Sequence, residues 1–401
     1  MGDNMTFQQF KDKYQDYLVT VRRRFHESPE LSMEEKETSR FIVAEVEACG
    51  LPYEMAGDYG VIAVVQGTKP GMGRNVLLRA DIDALPIQED ANNLAGPKNS
   101  CSKVPGVGHL CGHDAHTAMM LAVMKELTAI RDQFSGKFII CFEPAEENGK
   151  GCWLMLPYLE HYEIDRVYAC HVEEGLDTGT VSIVPGPRMA GVGAFEYTIY
   201  GEGTHGAAPH RGVDPILCTA EMITGLNQIL TRNIPPLSPM ALTIGHVESG
   251  TARNAIPSQA SFGGTMRFFD RGLGEFAYGR MKEIVNAIAA AHRCKVEQTF
   301  EYLSYPLVND PHLADLACQA VGEALGTKAV VETEPKTGSE GFTNYIRAYN
   351  GQGLHVLIGV RNREYGSGEA AHNPKFDVDE AALPYGAFTT LQIALKLNEC
   401  E

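Results

Sequence analysis

Between positions 109 and 116 the chain reads His109-Leu110-Cys111-Gly112-His113-Asp114-Ala115-His116, with one thiol, three imidazoles and a carboxylate in eight positions. Cysteine and histidine are the ligands that zinc and related divalent ions select. In a helix Cys111 and His113 would diverge, whereas in an extended turn they face one side. Gly112 permits the tight turn between them. The plainer alternative is a thiol and imidazoles that pack at the start of a helix; the density of the cluster favours a metal. His109 and His116 read as groups that support such a site or the fold.

A second group, Phe142-Glu143-Pro144-Ala145-Glu146-Glu147, follows an apolar run. Adjacent carboxylates in an extended segment point apart, so one can bind a metal while its neighbour faces a water. A hydrolase needs that pair, a ligand and a general base. Alone, the group would read as a solvated acidic turn; beside the Cys/His cluster it does not. His171 stands at the end of the expected strand Arg166–Cys170, and His372 stands in His372-Asn373-Pro374. A lone histidine is usually structural, and neither decides anything by itself. In Arg79-Ala80-Asp81-Ile82-Asp83-Ala84-Leu85-Pro86, Asp81 and Asp83 share one face of a strand and could orient a ligating histidine or hold a second metal. No G-x-S-x-G elbow, H-E-x-x-H pair or P-loop occurs, which argues against serine hydrolases, zincins and nucleotide enzymes.

These residues need a scaffold. Residues 6–27 have the periodicity of an amphipathic helix. A second helix follows, with Ser32 and Glu35 as a capping box and Cys49-Gly50 as its stop. Strands are expected at 61–65, 75–79, 137–142, 166–171 and 180–184, and helices at 114–130 and 151–161. This alternation predicts an α/β layer with a mostly parallel sheet, where chemistry collects at strand carboxyl ends. The middle reads as strand 194–200, helix 213–232, strands 240–247 and 259–268, helix 274–292 and strand 295–303, the ferredoxin-like β-α-β-β-α-β order. The α/β pattern then resumes with a helix at 311–325, a strand at 354–359 and a final helix from 379. The expected organisation is therefore one domain from 1–189 and 306–401, with 190–305 inserted.

With 401 residues the chain is long enough for two domains. Its 51 acidic and 34 basic residues leave a net charge of -17, which disfavours nucleic acid and anionic membrane as partners. Ten scattered cysteines, several inside apolar runs, fit reduced thiols in a cytoplasmic protein. No stretch reaches membrane-spanning length, and the polar N-terminus lacks a signal-peptide core. The myristoylation pattern at Gly2 and the glycosylation pattern at Asn4 read as coincidence.

Together the motifs resemble the amidohydrolase branch of the aminoacylase and carboxypeptidase G type metallopeptidases, among them hippurate hydrolases, auxin-conjugate hydrolases and N-acetyl-diaminopimelate deacetylases. The matching segments run in the family's order from Arg23-Arg24-Phe25-His26-Glu27-Ser28-Pro29-Glu30 to His372-Asn373-Pro374. The resemblance implies a zinc-peptidase-like catalytic domain and an inserted lid and dimerisation domain. It implies Cys111, His113, Glu147, His171 and His372 as ligands of one or two divalent ions, zinc or manganese. It makes Glu146 the general base and Asp83 the aspartate beside the metal. His205 in Gly203-Thr204-His205-Gly206 matches a lid histidine that reaches the active site across a dimer interface and stabilises the oxyanion. Asn254 and Arg267 match residues that hold the substrate carboxylate. A forked guanidinium would then attract an anion even on an acidic protein. Gly341, Thr204 and Glu143 depart from the family's usual residues, and none of them is a proposed ligand or base.

The function expected is therefore hydrolysis of the amide bond of an N-acyl amino acid by water that a divalent ion activates. A dipeptidase or carboxypeptidase could use the same residues. A non-catalytic relative that binds metal or an amino acid would be expected to lack the base or a ligand. An enzyme with Cys111 as nucleophile would leave the glutamates and distant histidines without a role.

Overall fold

The computed structural model describes residues 5–399; Gly2, Asn4 and Cys400 lie outside them. The chain divides into two compact units. The first comprises Met1–Gly186, Val308–Thr333 and Asn344–Glu401. The second comprises Pro187–Leu307 and Glu334–Thr343. From the sequence, 334–343 is expected in the first domain, with the rest of 306–401. The backbone explains the difference: Lys336 and Gly338 carbonyls both accept from Ala190 N, and Lys336 N donates to Arg188 O.

The first unit is built on an eight-stranded mixed sheet. In chain order its elements begin with helices α1 (Phe7–Glu27) and α2 (Lys36–Ala48) and strands β1 (Tyr53–Ala56), β2 (Gly60–Gln66) and β3 (Asn75–Asp81). Helix α3 (His113–Ala129), strand β4 (Lys137–Glu143), helix α4 (Gly151–Leu159) and strand β5 (Arg166–Asp177) follow. Across the sheet the order is β1, β2, β4, β3, β5, then Gly353–Arg361, Val181–Ser182 and Val330–Val331. β4, β3, β5 and Gly353–Arg361 run parallel to one another, so their carboxyl ends share one edge of the sheet.

The packing follows the side-chain period of two. Val76, Leu78 and Ala80 of β3, with Phe138, Ile140 and Phe142 of β4, join one apolar cluster with α1, α3 and the helix Leu383–Asn398. The intervening Leu77, Ile139 and Cys141 are equally buried outside that cluster, so both faces are covered. Helix α1 contributes a stripe of Phe10, Tyr14, Leu18, Val21 and Phe25, the spacing of one helical face. Helix α3 is buried nearly all round, as an Ala- and Met-rich helix between a sheet and other helices should be.

The second unit holds a four-stranded antiparallel sheet, ordered Met240–Ser249, Gln259–Phe268, Gly191–Tyr200 and Lys295–Leu303. Helices Pro215–Gln228 and Arg271–Ala291 pack on it through Cys218, Met222, Leu226, Met281 and Val285. The chain order is β-α-β-β-α-β.

Two local expectations are corrected. The strand through His171 does not stop at 170 or 171 but continues to Asp177, because Gly353–Arg361 keeps pairing with it, Leu357 opposite His171 and Gly359 opposite Glu173. Ser32 and Glu35 form no capping box, since α2 receives no side-chain cap from Glu35. The Glu30 carboxylate accepts from Glu37 N and Thr38 N instead, which frees Ser32 and Glu35 for other partners.

Candidate metal centre

Three parallel strands deliver the site. β3 ends at Asp81, two residues before Asp83. β4 ends at Glu143, paired in register with Asp81, just before Glu146 and Glu147. β5 carries His171, and α3 begins at His113. Gly112 precedes α3 with φ 95°, a left-handed conformation that glycine adopts without penalty. A Cβ there would lie 2.2 Å from Val172 Cγ2. Only glycine therefore lets Cys111 and His113 flank a turn packed this tightly on β5.

The side chains converge. Ligand atoms of Cys111, His113 and His171 lie within 4.8 Å of one another, and so do those of Cys111, Glu147 and His372, and those of His113, Glu146 and Glu147. Cys111 Sγ is 3.4 Å from His171 Nε2. His113 Nε2 is 3.7 Å from Glu147 Oε1, and His372 Nε2 is 3.6 Å from Glu147 Oε2. Ligands bound tetrahedrally to one ion at about 2.1 Å sit about 3.4 Å apart, so the spacing suits a shared cation better than direct hydrogen bonds. His113 Nε2 and Glu147 Oε1 are buried with no hydrogen-bond partner. Orphaned buried polar atoms aimed at each other are costly unless something binds between them. The residues present therefore fit a divalent metal. The two triplets that share Cys111 offer donors enough for two ions.

The surroundings fix each donor. His113 Nδ1 donates to Asp83, whose carbonyl is at 3.0 Å and Oδ1 at 3.2 Å, leaving Nε2 to face the cluster. His171 Nδ1 donates to Val172 O at 2.6 Å, which turns Nε2 toward Cys111. Asp83 Oδ2 accepts from Ser32 Oγ at 2.6 Å and Glu147 N at 3.0 Å. Burial opposes ionisation of Cys111, yet His171 and His113 hold its thiol well below the ordinary range. Burial pushes Glu147 up to about 7, with Cys111 and Asp83 adding to the rise. The pocket is crowded with negative charge, which a cation relieves.

Glu146 and Glu147 do not diverge as an extended segment would make them. Ala145 has φ 56°, so the chain turns after Pro144 and both carboxylates reach the neighbourhood of His113. Behind the site, Glu143 accepts from Arg79 Nε at 2.7 Å and Tyr345 OH at 2.9 Å, and Arg79 Nη1 donates to Asp81 at 2.6 Å. His116 lies 2.6 Å from Asp81 Oδ1 through Nδ1 and accepts from Val172 N through Nε2 at 2.9 Å. Asp81, His113 and His116 are also close enough to hold an ion, but both His116 nitrogens are already used. His109 is buried with neither ring nitrogen hydrogen-bonded, and burial lowers it to about 4.

The loop bearing His372 is pinned by a residue that periodicity did not flag. The buried Lys98 ammonium donates to Glu89 Oε1 at 2.7 Å and to the carbonyls of Phe376 at 2.7 Å and Pro374 at 3.2 Å. His372 itself has φ 67° and donates its N–H to Leu110 O at 2.7 Å.

In the second unit, His205 and Asn254 are brought together. His205 pairs with Ala255 in a short antiparallel ladder, and Gly206 N donates to Asn254 O at 2.8 Å. Ala207 N donates to His205 Nδ1 at 3.1 Å, so the exposed imidazole carries its hydrogen on Nε2. Arg267 lies on the strand Gln259–Phe268, half-buried, between Ala241 and Val192 on the neighbouring strands.

A mixed α/β sheet with this donor set at its parallel strand ends defines a metal-dependent hydrolase. The chain belongs to peptidase family M20/M25/M40, whose model matches residues 77–396. It is 35% identical to IAA-amino acid hydrolase ILR1-like 4 of Arabidopsis thaliana over 94% of this chain and 84% of that one. It is 34% identical to thermostable carboxypeptidase 2 of Saccharolobus solfataricus over 96% of both chains. Among solved structures it resembles a dinuclear metal binding peptidase of the M20 family from Bacillus subtilis, with a TM-score of 0.80 and 30% identity over 96% of this chain and 98% of that one. This protein is therefore a metal-dependent amidohydrolase of that family. Among the described residues, no helix is long and apolar enough to cross a membrane, and the nine described cysteines are free.

Proposed function

We propose that this enzyme hydrolyses the amide bond of N-acyl amino acids, releasing a carboxylic acid and a free amino acid. The observation that carries the reading is the convergence of Glu146 and Glu147 on His113, a second carboxylate next to the unpartnered pair His113 Nε2 and Glu147 Oε1. Cys111, His113, Glu147, His171 and His372 would hold two divalent ions, zinc or manganese. When bound, the ions supply Lewis-acid polarisation of the scissile carbonyl and of the attacking water.

The chain's own groups do the rest. Glu146 takes a proton from the water and returns it to the leaving nitrogen. Asp83 keeps His113 in the tautomer that presents Nε2. His205, with hydrogen on Nε2, donates to the oxyanion. Asn254 and Arg267 hold the substrate carboxylate, so that binding energy is used for orientation. An amide substrate is favoured by the similarity to a plant IAA-amino acid hydrolase. The comparable similarity to a carboxypeptidase keeps a peptide substrate as the second reading. We place the enzyme in the cytoplasm as a homodimer through the second unit.

The test measures free amine released from N-acetyl, N-benzoyl and indoleacetyl amino acids and from dipeptides, with zinc or manganese and after chelation. Release from acyl amino acids that chelation abolishes is expected, and preference for dipeptides would favour the second reading. Glu146→Gln should keep its metal and lose turnover by about 10²–10⁴-fold. Unaltered turnover in that variant, or release that ignores chelation, would sink the proposal.

A further inference from the structure

Glu35 stands at the border of α2, fully buried, and gives the helix no side-chain cap. Its Oε1 accepts instead from Ala145 N at 2.7 Å. Ala145 is buried, has a left-handed backbone and directly precedes Glu146 and Glu147. Its carbonyl is held by its own turn, accepting from Lys150 N and Gly151 N at 3.2 and 3.0 Å. Its N–H is held by Glu35 across the fold.

The segment carrying Glu35 grips the same turn a second time. Ser32 Oγ donates to Asp83 Oδ2, which also accepts from Glu147 N. Met33, between Ser32 and Glu35, is itself left-handed at φ 69°. Two strained turns thus face each other, joined through Glu35 on one side of Glu146 and through Ser32 and Asp83 on the other. Glu35 Oε2 is buried with no hydrogen-bond partner. A carboxylate buried with one oxygen unsatisfied is a costly way to anchor a helix border. Backbone strain persists only where surrounding contacts over-determine it.

We propose that Glu35 is a positioning residue whose carboxylate locks the left-handed turn at Ala145 and so aims Glu146 and Glu147. This rests on the roles given to those two glutamates above. Gln can offer the same acceptor to Ala145 N, Asp is too short to reach it, and Ala removes it.

The experiment compares Glu35→Gln, Glu35→Asp and Glu35→Ala in the full-length metal-loaded enzyme. Glu126→Ala is the control, because Glu126 is also buried but binds Lys13 and Tyr14 in the last turn of α3, at the opposite end from His113. Each protein is read by kcat and KM, by Mn²⁺ affinity in equilibrium dialysis and by thermal midpoint. Glu35→Ala and Glu35→Asp should lower kcat at least 30-fold with KM within threefold, and weaken Mn²⁺ binding about tenfold. Glu35→Gln should stay within fivefold on both. Glu126→Ala should lose midpoint but keep kcat and affinity. Wild-type kcat and affinity in Glu35→Ala, or equal losses in Glu126→Ala, would overturn the proposal. If Glu35→Ala does not fold, the Asp and Gln variants decide, and equal behaviour of those two overturns it as well. Dialysis reads the turn even if the wild-type enzyme cleaves none of the amides tested, so failure of the proposed function and failure of this inference are separable.

Discussion

Asp83 lies against His113, with its carbonyl 3.0 Å and its Oδ1 3.2 Å from the Nδ1 of a ring whose Nε2 is buried and unpartnered. The contact fixes which nitrogen can take a metal, and the second Asp83 oxygen receives Glu147 N. Removing the side chain frees Glu147 N and leaves His113 Nδ1 only the Asp83 backbone carbonyl. Asp83→Ala is expected to weaken divalent-ion binding about 10- to 100-fold, read by equilibrium dialysis with Mn²⁺. Unchanged affinity would mean that the Asp83 carbonyl alone suffices to hold His113.

Gly112→Ala tests the turn between Cys111 and His113. At φ 95° an L side chain is strained by about 1–3 kcal/mol from backbone conformation alone. The added methyl also meets Val172 Cγ2. The variant should melt lower and bind metal more weakly. Adding Val172→Ala should recover the packing part of the loss and leave the backbone part. Full recovery in the double variant would show that the left-handed turn costs alanine nothing.

Glu89 supplies a pH dependence away from the donors. It lies between His26 and Lys98, with Ser102 N donating to it. Burial raises it, but those partners hold it at about 2, below its ordinary 4.5. A carboxylate lowered on folding contributes stability above its unfolded value and loses it as pH falls toward the folded one. The contribution, up to about 3 kcal/mol at neutral pH, should therefore vanish between pH about 4.5 and about 2. Glu89→Gln should flatten the acid limb of a denaturation series in that window. An unchanged acid limb would assign the loss to other carboxylates.

Arg267 is expected to hold the substrate carboxylate. Arg267→Met should raise KM for an N-acyl amino acid about 100-fold, the scale of a lost charge-assisted pair. The same change should leave the carboxamide of that substrate nearly unaffected. Equal effects on both substrates would show that Arg267 does not read the carboxylate.

Much of this was legible in the chain. The stripe of α1, the run of β4 and the buried α3 announce themselves through period and composition. The clustering of Cys111 with His113, and of Glu146 with Glu147, announces the chemistry. What stayed hidden depends on side chains choosing distant partners over near ones. Ser32 and Glu35 have the spacing of a local cap, and only the fold shows that Asp83 and Ala145 outbid the helix end. Lys98 sits in a loop without periodicity, and its partners at 374 and 376 are remote in sequence. The short strand Tyr53–Ala56 was missed because its stability comes from pairing with β2, not from its own residues.

The left-handed backbone at His372 has a consequence for anyone who would harden this protein. A histidine held at φ 67° costs of order 1 kcal/mol that a glycine there would return. Yet any residue without a ring nitrogen forfeits the donor proposed for the metal. Robustness and activity therefore pull this position in opposite directions, and a search for thermostable variants that is blind to turnover will tend to discard the imidazole first.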